Sequence, residues 1–158
     1  MINLSFLNPQ QNKIFFELYE LTEGKIILSG SSSLALNGVI NRPVGNINVN
    51  LNKEDVEYFN IINNEFKMDY VRNQEFGIKN KTYWFRKYNT VGVLFFSDDV
   101  KYDTHLVDGL NIRVVTVDEI RNNKDELSKS GDPNWIKHYN DVQTIDKFNN
   151  IQKPKTLI

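Results

Sequence analysis

The side chains best placed to do chemistry in this 158-residue chain fall in one stretch. It reads Leu28-Ser29-Gly30-Ser31-Ser32-Ser33-Leu34-Ala35-Leu36-Asn37-Gly38 and resumes as Arg42-Pro43-Val44-Gly45-Asn46-Ile47-Asn48-Val49. Taken alone, Gly30 to Ser33 is a strand-to-helix turn with serine caps. Asn46, Asn48 and Asn50 alternate with Ile47, Val49 and Leu51, so the two sets project from opposite faces of one strand. Asparagine is disfavoured in strands, and three on one face call for a reason. A solvated sheet face is one; chance in a chain with 22 asparagines is another.

Residues 67 to 87 have a different character. They hold Lys67, Arg72, Lys79, Lys81, Arg86 and Lys87 against Asp69 and Glu75, interleaved with Tyr70, Phe76, Tyr83, Trp84 and Phe85. A basic-aromatic surface can stack bases and hold phosphates. A hairpin with one apolar and one charged face has the same composition, and the hairpin is the expectation. His138 shares helical spacing with Trp135 and Val142, as a packing or hydrogen-bonding histidine does. His105 falls in a polar loop among Tyr102, Asp103 and Asp108. With two histidines and no cysteine, the chain has no thiolate nucleophile, disulfide, iron–sulfur cluster, cysteine zinc site or His-rich metal site to offer. Nineteen basic residues against 20 acidic ones leave a net charge of −1, which excludes a chain-wide polycation. Nucleic acid is therefore not an expected partner, the local patch at 67–87 aside.

These side chains must be carried by a modest core. Forty per cent apolar and 12% aromatic residues suffice for one domain. The expectation is a single domain over 1–150, with its core at about 25–100, C-terminal helices at about 117–147 and a flexible tail at 151–158. No apolar run approaches the roughly 18 residues of a membrane span, and the first residues show no basic-then-apolar signal, so a cytoplasmic location is expected. Asn8-Pro9 starts a helix bearing Ile14, Phe15, Leu18 and Leu21, with Gly24 as its stop. Lys25 to Ser29 is a short buried strand, Leu34 to Leu36 a short helix ended by Asn37-Gly38, and Val44 to Leu51 the alternating strand. Asn52 caps a helix whose stripe is Val56, Phe59, Ile62 and Phe66. Lys81 to Tyr88 and Val91 to Phe96 are strands joined at Asn89-Thr90, and Ile112 to Val115 is the last strand. Thr116-Val117-Asp118-Glu119 is a capping box opening a helix to about Ser128. Asp132-Pro133 opens another, in which Trp135, His138, Tyr139, Val142 and Ile145 share a side. The order predicts an α/β (α+β) fold, a mixed and mostly antiparallel sheet flanked by helices.

The first stretch resembles the opening of the nucleotidyltransferase superfamily, in particular its bacterial toxin-like, minimal branch. That family shows a strand, a Gly-Gly or Gly-Ser turn, a short Ala/Leu-rich helix ending in Gly, then Arg-x-Thr-x-Asp-hydrophobic-Asp-hydrophobic. Arg42, Asn46 and Asn48 fit that spacing without a gap. Thr116-Val117-Asp118-Glu119-Ile120, Lys124 and Lys137-His138-Tyr139-Asn140-Asp141-Val142 are similar to later family segments, so the resemblance spans 25–146. It implies a nucleotidyltransferase-like fold and makes Gly30, Ser31, Ser32, Arg42 and Lys124 the nucleotide-binding candidates. Backbone N–H groups and a serine hydroxyl at a helix start hold phosphates.

The family's transfer of a nucleoside monophosphate uses two carboxylates at i and i+2 and a third from a neighbouring strand, which hold two divalent ions. Here the pair is Asn46 and Asn48, and Val91 to Phe96 contains no acid. The nearest acids, Asp98 and Asp99, lie beyond its end. A carboxamide keeps an acceptor oxygen but not the charge. At an effective dielectric near 20, each close charge pair lost is worth on the order of 4 kcal/mol. A fossil active site explains the asparagines; a deliberate change from aspartate is disfavoured, because the separate strand also lacks its acid. The expectation is a catalytically degenerate nucleotidyltransferase-like protein, a binding or assembly module with a protein partner, no catalytic residue, no metal and no cofactor, and a nucleotide or phosphate cleft as a retained option. Two alternatives stand beside it. One is an active enzyme moving a nucleoside monophosphate to protein or RNA, which would need Mg²⁺ and an NTP and recruit Asp98 or Asp99. The other is a structural component of a larger assembly such as a phage particle, which would place it in a virion.

Overall fold

The computed structural model describes residues 2–74 and 80–152. Helix α1 (Pro9–Leu21) starts at a complete capping box. The Asn8 side-chain oxygen accepts the Gln11 N–H at 2.8 Å, and the Gln11 side chain accepts the Asn8 N–H at 3.0 Å, so two otherwise orphaned donors are satisfied. Ile14, Phe15 and Leu18 are fully buried on its inner face. The two-residue strand β1 (Ile27–Leu28) leads into α2 (Gly30–Leu36), followed by β2 (Ile47–Asn52), α3 (Val56–Phe66), β3 (Asp69–Gln74), β4 (Asn80–Lys87), β5 (Thr90–Ser97), β6 (Tyr102–Val107), β7 (Leu110–Val115), α4 (Val117–Lys129) and α5 (Trp135–Gln152).

One sheet carries all seven strands in the order β3-β4-β5-β2-β1-β7-β6. β2 runs parallel to β5 and β1 parallel to β7; the remaining neighbours are antiparallel. The mixed, mostly antiparallel sheet follows the expected fold class. The period of two along each strand divides the sheet into two chemistries. Ile47, Val49 and Leu51 of β2 and Leu94 and Phe96 of β5 point to one face, where α1 and α3 cover them with Phe15, Leu18, Phe59 and Ile62. Each such fully buried side chain contributes about 1.5–3 kcal/mol. The opposite face packs Ile27 and Val115 against Leu34 of α2, Ile120 of α4 and Ile145 of α5. Asn48, Asn50 and Phe95 lie on this second face.

Both tight hairpins are closed by two residues with positive φ, Tyr88-Asn89 between β4 and β5 and Asp108-Gly109 between β6 and β7. That is the type I′ geometry whose twist matches the strands it joins. In β4, Phe85 is buried over Gly92 and Phe66 while Trp84 stands exposed, but Lys81 alternates with Phe85 and buried Thr82 with Trp84, so the expected split into one apolar and one charged face is not clean. Glu75, Phe76 and Lys79 of the basic-aromatic stretch, and the tail from residue 153, lie outside the described residues.

Several local expectations give way. β2 begins at Ile47 rather than Val44, so Asn46 precedes it and is exposed. Asn50 and Asn52 are buried, not solvated. Asn52 does not cap α3; its side-chain oxygen accepts the Val100 N–H at 3.2 Å, and a 3-10 turn at Lys53–Asp55 leads into the helix. That turn carries Val56 outward, half exposed and away from the stripe of Phe59, Ile62 and Phe66. His105 is in strand β6, not a loop. On α5, Val142 and Ile145 are buried while Trp135 and Tyr139 are exposed. α5 runs on to Gln152, past the point where a loose tail was expected. Among the described residues no helix is long and apolar enough to cross a membrane.

Candidate functional site

The second face of the sheet carries a cleft, partly open to solvent, whose inner part measures about 140 Å³, room for a phosphate group or one ring of a larger ligand. Its floor is made by Ser29 and Gly30 at the β1–α2 junction, Asn48 and Asn50 of β2, and Phe95 of β5. Asn50 pairs with Phe95 in the parallel register, so amide and ring stand side by side. Its roof is helical. The Thr116 hydroxyl accepts the Glu119 N–H at 3.2 Å and fixes the start of α4. From there Ile120, Asn123, Lys124 and Leu127 recur at helical spacing along the cavity, and α5 adds His138.

Gly30 allows the floor to close. Its φ is +58°, and a Cβ there would meet the Asn48 side-chain nitrogen at 2.7 Å. The Ser29 N–H also donates to the Asn48 carbonyl at 3.0 Å. Glycine therefore lets the Asn48 amide lie flat against the turn. Asn50 is 6% exposed. Its side-chain N–H donates to the Ser97 hydroxyl at 3.3 Å, and its side-chain oxygen is buried with no partner. Such a group costs free energy until something donates to it.

The helical wall carries the charge. Lys124, 12% exposed, reaches Asp141 at 2.8 Å, and Arg42, 44% exposed, approaches the other oxygen of that carboxylate at 3.6 Å. One buried carboxylate thus serves two cations. His138 Nδ1 is buried without a partner, and Nε2 lies 3.7 Å from Asp132. Burial, with the Lys124 ammonium adding to it, lowers the His138 pKa from its ordinary value, while Asp132 and Asp141 pull the other way. The imidazole is neutral at pH 7.

The predicted candidates do not all converge. Gly30, Asn48 and Lys124 line the cavity; Asn46, Ser31, Ser32 and Arg42 do not. Ser32 is buried with its hydroxyl unpartnered. Ser33, also buried, donates to the Val115 carbonyl at 2.5 Å and ties α2 to β7. Arg42 reaches the site only through Asp141. Asp98 pairs with Lys53 at 3.6 Å, and neither it nor Asp99 lines the cavity. Asn50, Phe95, Glu119, Asn123 and His138 belong to the site and were not singled out for it. Asn50 was readable as the next inward position after Asn48; Phe95 lies within Val91 to Phe96, the strand in which a third acid was sought.

The donor set does not suit paired divalent ions. Magnesium demands hard, preferably anionic oxygens in octahedral array. Glu119 is the one acid among the lining residues, and no cluster of three or more metal-ligating His, Asp or Glu occurs among the described residues. The cavity can instead offer three carboxamides, an ammonium, an imidazole and an aromatic face.

No protein-family model matches this chain, and no curated protein sequence matches it either. Solved structures do match in shape. A Thermotoga maritima protein assigned to the nucleotidyltransferases, TM1012, superposes with a TM-score of 0.61 over 92% of this chain and 96% of its own, at 17% identity. ANT(2″)-Ia, solved in complex with adenylyl-2″-tobramycin, superposes with a TM-score of 0.59 over 90% of each chain, at 9% identity. The helices and the mixed sheet together form a nucleotidyltransferase fold.

Proposed function

We propose that this protein is a binding module on the nucleotidyltransferase fold, holding a nucleotide-type ligand without divalent metal and without transferring a nucleoside monophosphate. The observation that carries the reading is the uncharged floor: Asn48 and Asn50 side by side with Phe95, where metal-dependent chemistry needs anions. Without that negative charge, a phosphate needs no bridging cation to approach. The Asn48 amide N–H and the Lys124 ammonium are donors suited to phosphate oxygens. The unpartnered Asn50 oxygen suits a ligand hydroxyl or N–H. Glu119, the one acid among the lining residues, adds a repulsive charge and favours ligands that present a donor to it.

Calorimetry with ATP and GTP in EDTA and in Mg²⁺ tests this directly. Binding of equal strength in both media is expected, with a loss of about tenfold or more for Lys124→Ala, as for a charge-assisted hydrogen bond. Incubation with labelled NTPs and Mg²⁺ or Mn²⁺ should give no labelled product. Robust labelling, or binding that appears only with the metal, would overturn the reading.

A further inference from the structure

Strand β6 is the last in the sheet, with β7 on one side and, among the described residues, no strand on the other. The hairpin fixes which of its backbone groups are free. A two-residue type I′ turn at Asp108-Gly109 closes through the Val107 carbonyl and the Leu110 N–H. Val107, His105 and Asp103 therefore aim their N–H and C=O groups at β7, and Tyr102, Thr104 and Leu106 aim theirs outward. The side chains alternate in the same rhythm. Tyr102 and Leu106 emerge on the α4 side of the sheet, where Arg113 lies over the Tyr102 ring at 4.7 Å; Asp103 and His105 emerge on the α1 side. Leu106 is 74% exposed, the most of any large apolar side chain among the described residues. An open edge of this kind is a template for another strand.

The residues on this edge are complementary to themselves. In an antiparallel pair related by a two-fold axis, residues that face one another must both have outward backbone groups or both have inward ones. An axis through Thr104 satisfies this. It pairs Thr104 with its copy and Tyr102 with Leu106, twice, through the outward groups. Asp103 then falls opposite His105, also twice, at the closely spaced non-hydrogen-bonded positions. An axis through Asp103 would oppose two like charges and shorten the overlap. An axis through His105 would oppose two histidines and leave Asp103 facing Val107. Axes between residues mismatch the backbone.

We propose that β6 is a homodimerisation edge, on which a second copy of this chain adds its own β6 in antiparallel register about Thr104 to join two sheets into one. Hydrogen bonds from the outward groups supply the attraction, the Tyr102–Leu106 pairs cover the exposed leucine, and the Asp103–His105 pairs select the register.

Sedimentation equilibrium of the full chain tests the proposal, with circular dichroism and thermal melts to confirm that each variant is folded. The parent chain is expected to show a reversible monomer–dimer equilibrium. Thr104→Pro removes an outward N–H without touching the pairing to β7, which an edge position tolerates, and should leave a monomer. His105→Asp, which sets like charges opposite one another twice, should weaken the dimer by about tenfold. Asp103→His combined with His105→Asp restores the pairing of a carboxylate with an imidazole and should return the dimer to within about threefold of the parent. A parent chain that remains monomeric at the highest soluble concentration overturns the proposal. So does a dimer indifferent to Thr104→Pro, or a double exchange no better than the single one.

Discussion

The floor and the roof of the cavity are built on different principles. The floor belongs to a sheet whose geometry is fixed from behind, by Ile47, Val49, Leu51, Leu94 and Phe96 packed under α1 and α3. Its cavity-facing residues, Asn48, Asn50 and Phe95, carry no charge. The roof belongs to two helices that bring Glu119, Lys124 and His138, with Asp141 behind them. Strand alternation explains the contrast. The residues that specify the fold and those that face the cavity sit on opposite sides of the same strand, so cavity chemistry can change from charged to neutral without disturbing the core. On α4 and α5 one short stretch does both jobs, since Ile120 packs the core beside Lys124 and Ile145 packs it beside Asp141. There the charges also hold the structure together.

The largest expected effect comes from returning charge to the floor. Asn48→Asp combined with Asn50→Asp changes little in shape but places two carboxylates opposite a single lining cation, Lys124, that is already paired with Asp141. In EDTA the variant should lose about 3–5 kcal/mol, as for an uncompensated buried charge, with much of it regained on adding Mn²⁺. Urea unfolding with and without the cation measures both. A variant as stable as its parent in EDTA would mean that the floor is wetter than its burial suggests. Next comes the roof. Lys124→Met leaves Asp141 with only the half-exposed Arg42, and the loss should approach about 3 kcal/mol. Arg42→Ala removes the longer, more solvated contact and should cost less than about 1 kcal/mol. The ratio of the two losses, read from urea midpoints, shows which cation the carboxylate depends on. Gly30→Ala should cost about 1–3 kcal/mol, because alanine meets both a positive φ and the Asn48 amide. Gly38→Ala, also at positive φ but with nothing within 4 Å of its Cβ, should cost only the backbone share, about 1 kcal/mol.

The smallest effect is a pH slope. The folded His138 pKa is depressed, so between that value and the ordinary 6.5 the unfolded chain binds more protons than the folded one. Stability therefore rises with pH through this window, is fully present above about 6.5, and is lost as pH falls towards the depressed value. His138→Gln should flatten that part of a stability profile from pH 5 to 7.5, after the common carboxylate slope is subtracted by comparison with the parent.

Much of this arrangement was legible from the residues. The Asn8-Pro9 helix start, the 47/49/51 alternation and the Gly30 turn all act locally, and local signals survive into the fold. Strand β6 was missed because an edge strand exposed on both faces has no apolar alternation to display: Tyr102, Asp103, Thr104 and His105 read as a loop. The Asp108-Gly109 pair, a strong hairpin signal, was there to correct that reading. His138 reads as a packing or hydrogen-bonding residue, and Phe95 as one more apolar residue of its strand, for the opposite reason. Each sits among apolar neighbours, and only the tertiary meeting of α5, α4 and β5 turns them towards one cavity. Asn46 matched the family spacing yet stands just before β2, because the strand starts where Ile47 first finds a buried partner.

The shared carboxylate of Asp141 has a last implication. Lys124 already spends part of its charge on Asp141, so an anion entering the cavity competes with that carboxylate for the ammonium's donors. Occupancy is then a contest between two anions, and its strength is the difference between their grips on one ammonium. A doubly charged phosphate monoester wins that contest where a carboxylate or a singly charged diester only draws level. Asp141 would thereby set a threshold of ligand charge while touching no ligand itself.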